Sequence, residues 1–440
     1  MIYDVVILGG GISGLSAAYA LERNHPNLSA LLIEEKSRLG GWTQTVTLPS
    51  GQRYEAGPRS LLLRGEDALA TDDLIRSVGL EGEVLFANRQ SNARYVIING
   101  VPTRLPMGFL DLVRTPLGRE LAKKMFFEPF LHRGSAEDES VASFFARRAP
   151  SPLVDKLADA LVSGIWGGDP KQLSISRTLA DLKTAETKYG SCLIGGLASM
   201  FQKKNRPKIR GLCSFKNGLE SLVTAIHSRL RMPIAMETSA LSIDLSSDPI
   251  LITTSTGQVR TKKVIIALSE LSGRRLAPSL YGVVPAVPHA SFATIVMGWD
   301  TDCLERKGFG MLAPSTEDPH VLGVVLDSCV FPEQNTHMPT RMTVILGGAR
   351  WPAVAEQSDE ELLRIASSRV ASWTGVGRPC TESAVLRSVT AMPQPIVGSR
   401  PLQPYLVSPC QRLFAIGPAI GGVAVKHCIA SGYKVAADIG

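Results

Sequence analysis

Near its start the chain reads YDVVILGGGISGLSAAYALERN, and no other stretch limits the fold as strongly. Val5–Leu8 is a continuous apolar run of the kind found in a parallel strand buried on both faces, and ISGLSAAYALERN has the small-residue, amphipathic pattern of a helix. Between them Gly9, Gly11 and Gly14 stand in G-x-G-x-x-G spacing. In such a turn the first glycine permits the sharp reversal, the second lets a pyrophosphate approach the backbone, and the third lets helix pack on strand. Gly10, Ile12 and Ser13 complete the cradle, whose helix N-terminus offers N–H groups and positive potential to an anion. A second strand is expected at SALLIEE, and Glu34 at its end lies twenty residues beyond Gly14. A carboxylate there accepts the ribose hydroxyls and repels a 2′-phosphate. The chain is therefore read as α/β, with a Rossmann-type dinucleotide domain at its start.

The 440 residues leave room for further domains. Seven cysteines are scattered, odd in number and without a C-x-x-C pair, which argues for a reducing compartment and against a disulfide framework or metal centre. The net charge of +7 suits anionic small molecules or acidic lipid. No aromatic-and-basic module or zinc pattern accompanies it, so nucleic acid is not an expected partner. No run approaches the roughly 18–20 apolar residues of a spanning helix. Residues 1–3 are too few for a cleavable N-terminal transit peptide before the first strand.

Helices are expected at 67–80, 139–165, GLESLVTAIHSRL and 358–373, the last with Ser358 and Glu361 in capping-box spacing. Strands are expected near 233–237, 250–254 and 264–268, and residues 290–350 alternate like an antiparallel sheet. The basic, aperiodic stretch at 202–211 reads as a surface loop. The pattern suggests a discontinuous cofactor domain (1–88, 206–270 and 405–440), an α+β substrate domain (89–100 and 271–404) and an inserted helical region (101–205).

Beyond the second strand, EEKSRLGG adds Glu35, Arg38, Gly40 and Gly41, followed by Trp42. A second Gly-Gly lets another backbone segment close on the cofactor, with Arg38 available to its phosphate. The stretch Val5–Gly41 resembles the extended dinucleotide signature of flavin-dependent amine oxidases, desaturases and protoporphyrinogen oxidases. That resemblance implies noncovalent FAD, one per chain. The last segment, LFAIGPAIGGVAVKHCIASG, is a strand, a glycine-rich turn and a helix whose first turn would face the flavin. With EAGPRS (55–60), SGIWGGDPKQLS (163–174) and FGMLAPSTEDPHVLGVVLDSCVFPEQ (309–334), it makes nearly the whole chain similar to the oxygen-dependent protoporphyrinogen oxidases, closest to the mitochondrial form. The sequence departs from that pattern at MPQPIVGSRPLQ (392–403), where an aromatic is expected after PQ, and in the turn GPAIGG, which lacks a bulky polar pair.

The resemblance implies six-electron oxidation of protoporphyrinogen IX by O2, and hence a flat apolar slot beside the flavin with a cationic anchor for propionates. Matching positions for the slot are Phe309, Gly310, Leu312, Val325, Ile345 and Gly164, with Arg94 as the anchor. Arg59 is assigned to flavin or substrate. The implied cofactor positions are completed by Gly57, Pro58, Ser60, Ala240, Gly417, Pro418, Val423, Ala424 and Val425. No histidine is assigned a catalytic role, and His427 is placed near the flavin or on a helix surface. Another oxidase of the superfamily, acting on amines or carotenoids, and a flavin protein without turnover are the competing readings.

Segment 101–134 mixes Met107, Phe109, Leu110, Met125, Phe126 and Phe127 with Arg104, Arg114, Arg119, Lys123, Lys124 and Arg133. Apolar side chains entering a headgroup boundary while basic ones reach back to water would make it a membrane-associating surface. The competing reading is a helix pair packed between domains. The family resemblance adds a peripheral place at the mitochondrial inner membrane, ferrochelatase as a neighbour and a homodimer. For the cofactor, Glu34→Ala should weaken FAD binding by about 1.5–3 kcal/mol, the worth of hydrogen bonds to a charged group. Titrating FAD into the apoprotein reads this directly, and an unchanged affinity would remove Glu34 from the site.

Overall fold

The computed structural model describes residues 1–131, 134, 137–202, 211–282, 285–399 and 402–439. Ile2–Leu8 is central in a parallel sheet, between Ala30–Ile33 and Gly257–Ile266. Ile234–Ala235 lies beyond the first neighbour, and Leu413–Ala415 beyond the second. The leading half of Gly257–Ile266 pairs instead with Ile250–Thr254, which carries Ala240–Asp244 on its far side. Segments from both ends and the middle of the chain thus share one sheet. Where the parallel strands run side by side, at Val5–Leu8, Ala30–Ile33 and Val264–Ile266, they are apolar at every position because helices cover both faces.

On one face Ile12–Asn24 packs on the last helix, Val425–Asp438. The two backbones approach so closely at Gly432 that an added Cβ would lie 2.8 Å from the Ala17 nitrogen. On the other face Glu270–Leu276 and Pro278–Tyr281 bury Leu276, Leu280 and Tyr281 against Val6, Leu8 and Ile266. Residues 271–282 therefore pack with the dinucleotide sheet, and the boundary expected at 270 moves beyond them. A small sheet of Leu61–Leu63, Gly211–Phe215 and Val84–Phe86 joins the same unit. Residue 211, expected in a loop, opens its middle strand; the rest of that basic stretch, from 203 to 210, lies outside the described residues, as does Arg133.

The second sheet has seven strands, ordered Glu382–Pro393, His289–Trp299, Thr340–Gly347, Val321–Val325, Gly310–Leu312, Arg94–Ile98 and Val101–Arg104. Only Gly310–Leu312 with Arg94–Ile98 is parallel. Val101–Arg104 completes a hairpin here, so the boundary expected at 100 moves to 104. The strand at 382–393 has no counterpart in the sequence reading; it is an edge strand with one face open, and its mixed composition shows no clean alternation. Helix Asp359–Thr374 covers the sheet with Leu362, Ile365, Val370 and Trp373. Ser358 caps it by accepting the Glu361 N–H at 3.2 Å. The Glu361 carboxylate pairs with Arg364 instead of turning back, so only half of the capping box forms.

A helical layer that includes Pro116–Phe127, Val141–Arg148, Pro152–Trp166, Ala180–Tyr189 and Cys192–Gln202 meets the second sheet through Pro152–Trp166. Fully buried Arg148 pairs with buried Glu128 and lies 3.6 Å from Glu186, which also takes Arg147 and Lys183. Among the described residues, no helix is long and apolar enough to cross a membrane.

Candidate functional site

The turn after Leu8 is closed by backbone contact. Gly9 has φ +103°, and a Cβ on Gly14 would lie 1.9 Å from the Gly9 carbonyl oxygen. Gly11 differs: a Cβ there would meet only the Gly41 Cα, at 3.9 Å. The Gly40 N–H donates to the Gly10 carbonyl at 2.8 Å, bringing the second Gly-Gly against the first turn as expected. Glu34 follows the strand Ala30–Ile33, and its two oxygens accept the N–H groups of Gly10 (2.7 Å) and Lys36 (2.9 Å). Each oxygen keeps a further lone pair for a ribose hydroxyl. The Thr238 N–H bonds the Glu34 carbonyl at 2.9 Å, which sets Ala240 two residues from the same end of the cradle. Glu35 is exposed. Arg38 folds onto its own turn, donating to the carbonyls of Leu39 and Gly41, so it is less available to a phosphate than expected.

The helices starting at Ile12 and Val425 have Gly11 and Ala424 as N-caps, and neither receives a side-chain cap. Their leading N–H groups remain for a ligand. Gly57 presses on Trp42, since a Cβ there would lie 1.9 Å from the Trp42 carbonyl, and Pro58, Arg59 and Ser60 continue from it. Gly417 turns at φ +138° before Pro418, and the chain reaches Val423, Ala424 and Val425. Half-buried His427 has its Nε2 3.5 Å from Asp67 and no partner for buried Nδ1. Burial, aided by Lys426, lowers its pKa against the opposing pull of Asp67. An open glycine cradle, an acid at the ribose position and two uncapped helix ends fit FAD.

The second sheet brings Leu312, Val325 and Ile345 together. Gly310–Leu312, Val321–Val325 and Thr340–Gly347 are each buried except at one position. Those positions are Leu312, Val325 and Ile345. In the pairing register Leu312 and Ile345 both face Gly323, while Val325 lies between Gly310 and Thr343. Three aliphatic side chains thus stand half-open on one patch, with two glycines between them. Gly164 closes the patch from helix Pro152–Trp166: a Cβ there would lie 2.4 Å from Leu312 Cδ2. Arg94 pairs with Gly310, and its exposed guanidinium sits 4.8 Å from the Phe309 ring centre.

Arg59 reaches from the Gly57 loop into the sheet, donating to Thr343 Oγ1 at 2.9 Å and lying 3.6 Å from Asp327. Thr343 in turn donates to Asp327 at 2.6 Å. This triad lines a cleft of about 640 Å³ that also contains Phe309, Val325, Glu55 and buried Arg341. Burial pulls the Arg341 pKa down. Burial also pushes the Glu55 carboxyl up to about 7, although the Leu219 N–H and Thr45 hydroxyl bond it. Thr343, Asp327 and Arg341 carry no local sequence signal, because only strand register joins them to Arg59. Arg350 was missed for the same reason. It donates to the carbonyls of Ala313 (3.0 Å) and Asp318 (2.9 Å) and to Ser163 Oγ (2.6 Å), fixing the helix that bears Gly164 against the strand that bears Leu312.

The chain matches the family of flavin containing amine oxidoreductases over residues 12–440. It is 30% identical to protoporphyrinogen oxidase of Bos taurus and 31% identical to that of Homo sapiens, covering 99% of this chain and 98% of each relative. Among solved structures, a protein of Exiguobacterium sp. provisionally named protoporphyrinogen oxidase aligns with TM-score 0.83 at 24% identity, over 99% of this chain and 98% of the other. Cyclohexylamine oxidase from Brevibacterium oxydans aligns with TM-score 0.73 at 17% identity, over 100% and 99%. These two share the fold.

The raised pKa of Glu55 has a definite sign in stability. Folded protein holds a proton that the unfolded chain releases near its ordinary pKa of about 4.3, so this contribution is full below that pH and is lost as pH rises to about 7. Glu55→Gln should flatten the fall in unfolding free energy across pH 5–7 by about 1.4 kcal/mol per pH unit. Denaturant curves of both proteins at pH 5, 6, 7 and 8 check this, and parallel pH profiles would contradict it.

Proposed function

The chain belongs to the flavin containing amine oxidoreductase family, and we propose that it serves there as an FAD-dependent protoporphyrinogen oxidase. The reaction takes protoporphyrinogen IX and three O2 to protoporphyrin IX and three H2O2, the penultimate step of heme biosynthesis. The observation that carries this reading is the patch of Leu312, Val325 and Ile345, half-open in otherwise buried strands, with Arg94 paired to Gly310 on the neighbouring strand and stacked on Phe309. A flat, apolar macrocycle with acid arms suits such a surface. A small cationic amine does not.

Bound FAD supplies two-electron oxidation with dioxygen as final acceptor, repeated three times for each macrocycle. The protein's part is to bind, orient and exclude water. Leu312, Val325, Ile345 and Phe309 cover the faces of the macrocycle, and Gly164 lets helix Pro152–Trp166 close on Leu312 at the edge of the slot. Arg94, stacked on Phe309, holds a propionate at the rim. Arg59, fixed by Thr343 and Asp327, keeps the Gly57 loop in register with the slot. The pyrrole N–H proton passes to water or to the cofactor, since Phe309, Leu312, Val325 and Ile345 offer no basic group.

The helical layer is proposed as a membrane-associating surface. Phe126, Phe127 and Phe130 are 67%, 60% and 81% exposed, and Leu110 is also exposed. Arg114, Arg119, Lys123 and Lys124 lie on the same pair of helices, in a pattern suited to acidic headgroups. A peripheral site at the mitochondrial inner membrane, a homodimer and delivery of product to ferrochelatase extend the same reading.

Arg94→Ala should raise the Michaelis constant for protoporphyrinogen more than it lowers turnover, because a rim anchor contributes mainly uniform binding. Steady-state assays of porphyrin fluorescence measure both, and a loss confined to turnover would exclude this role. For the membrane surface, the protein should pellet with anionic liposomes, and Phe126→Glu with Phe127→Glu should release it while FAD content persists. Apolar burial at about 25 cal/mol per Å² is what that variant gives up. Continued pelleting of a folded double variant would exclude this surface.

A further inference from the structure

A second cleft, of about 270 Å³, lies between the turn Pro418–Val423, the end of helix Pro152–Trp166 and the segment Pro393–Pro395. Its walls are apolar apart from Arg177. The cleft is built from hydrogen bonds between distant segments. The Ser174 N–H bonds the Pro395 carbonyl at 2.9 Å, Gln394 Nε2 bonds the Trp166 carbonyl at 2.8 Å, and the Gln403 N–H bonds the Ile420 carbonyl at 3.1 Å. Arg177 is positioned by its own N–H, which the Ser174 hydroxyl accepts at 3.1 Å.

Arg177 is half-buried, its Nε is fully enclosed without a partner, and its guanidinium makes no hydrogen bond or ion pair among the described residues. Asp138 is the acid whose charge reaches it, but that carboxylate accepts from the Ser174 hydroxyl at 2.8 Å and the Gly398 N–H at 3.2 Å. Burial accordingly pulls the Arg177 pKa down. A desolvated cation without a counterion is costly, and a guanidinium cannot escape by losing its proton at neutral pH. Among the described residues no carboxylate pairs with the guanidinium, and Asp138 acts on it only at a distance.

We propose that this cleft binds a carboxylate carried on an apolar arm, with Arg177 as its counterion. Two sources share that chemistry: an acid arm of the proposed porphyrinogen substrate, and a separate small aromatic acid. The first rests on the function proposed above; the second does not. The cleft borders the turn assigned to the flavin, so an occupant should perturb flavin absorbance.

The test titrates holoenzyme with protoporphyrin IX, with its dimethyl ester and with indole-3-propionate, following the flavin spectrum. Arg177→Met should weaken at least one of the two acids about tenfold, and Arg177→Lys should restore part of it. The uncharged ester should bind both variants as it binds the parent. Loss confined to protoporphyrin identifies the substrate's acid arm; loss confined to indole-3-propionate identifies a separate acid site. Unchanged affinity for both acids overturns the proposal, as does equal weakening of ester and diacid, which would reflect packing and not charge. If the parent binds no porphyrin at all, the function reading fails while indole-3-propionate still tests the cleft. FAD content and melting of each variant separate lost binding from lost folding, and Arg177→Gln replaces the Met variant if that one does not fold.

Discussion

The fold depends on backbone meeting backbone at the turn after Leu8. Gly14 touches the Gly9 carbonyl at a distance that no side chain could occupy, and Gly41, at φ +60°, lies close against the Gly11 Cα. This contact sets the helix N-terminus directly above the strand end, and the Gly40–Gly10 hydrogen bond brings in the segment after the second strand. A cofactor held there meets N–H groups fixed before it arrives, so little ordering entropy is spent on binding. The rest of the cradle follows in sequence: Glu34 because the second strand ends there, and Val423–Val425 because the last helix packs on the first at Gly432.

A cradle alone does not make an oxidase; the second sheet must be held at a fixed distance from it. Arg59 makes that connection, since it belongs to the loop after Gly57 and bonds Thr343 in the middle of the slot sheet. Arg350 makes the corresponding connection to the helical layer through Ser163. Both are planar donors with several N–H groups, able to bind acceptors on two elements at once. A lysine at either position would keep the charge and lose the alignment.

Features set by near neighbours in sequence were readable before the structure. The glycine turn, the acid twenty residues on and the amphipathic helices all have local signatures, and Ser358 caps where its spacing says. The slot is different. Leu312, Val325 and Ile345 sit in strands that are buried at all their other positions, polar ones included, so periodicity does not distinguish the half-open position from its neighbours. They came only from resemblance to a family. The strand 382–393 escaped because one of its faces is open and its composition is mixed. The Arg59–Thr343–Asp327 triad escaped because register, which sequence patterns do not specify here, creates it. Arg38, a residue with an evident electrostatic use, donates to the nearby carbonyls of Leu39 and Gly41, a pairing that charge pattern alone does not show.

The helical layer shows how buried charge can specify a surface. Glu128 follows Phe127 directly, and it is drawn inward by Arg148, the Ser191 hydroxyl and the Cys192 N–H. Buried ion pairs add little net stability against an apolar alternative, because desolvation offsets their attraction. Their effect is geometric: breaking one strands a charge, so alternative packings are penalised. With Glu128 fixed inward, the preceding helix cannot rotate to bury Phe126 and Phe127, and Phe130 on the next turn is held outward with them. The exposed rings are therefore not an accident of a loose helix. They are the outer side of a constraint whose inner side is the Glu128–Arg148–Glu186 cluster, which keeps an apolar face available in water that hydrophobic packing alone would close.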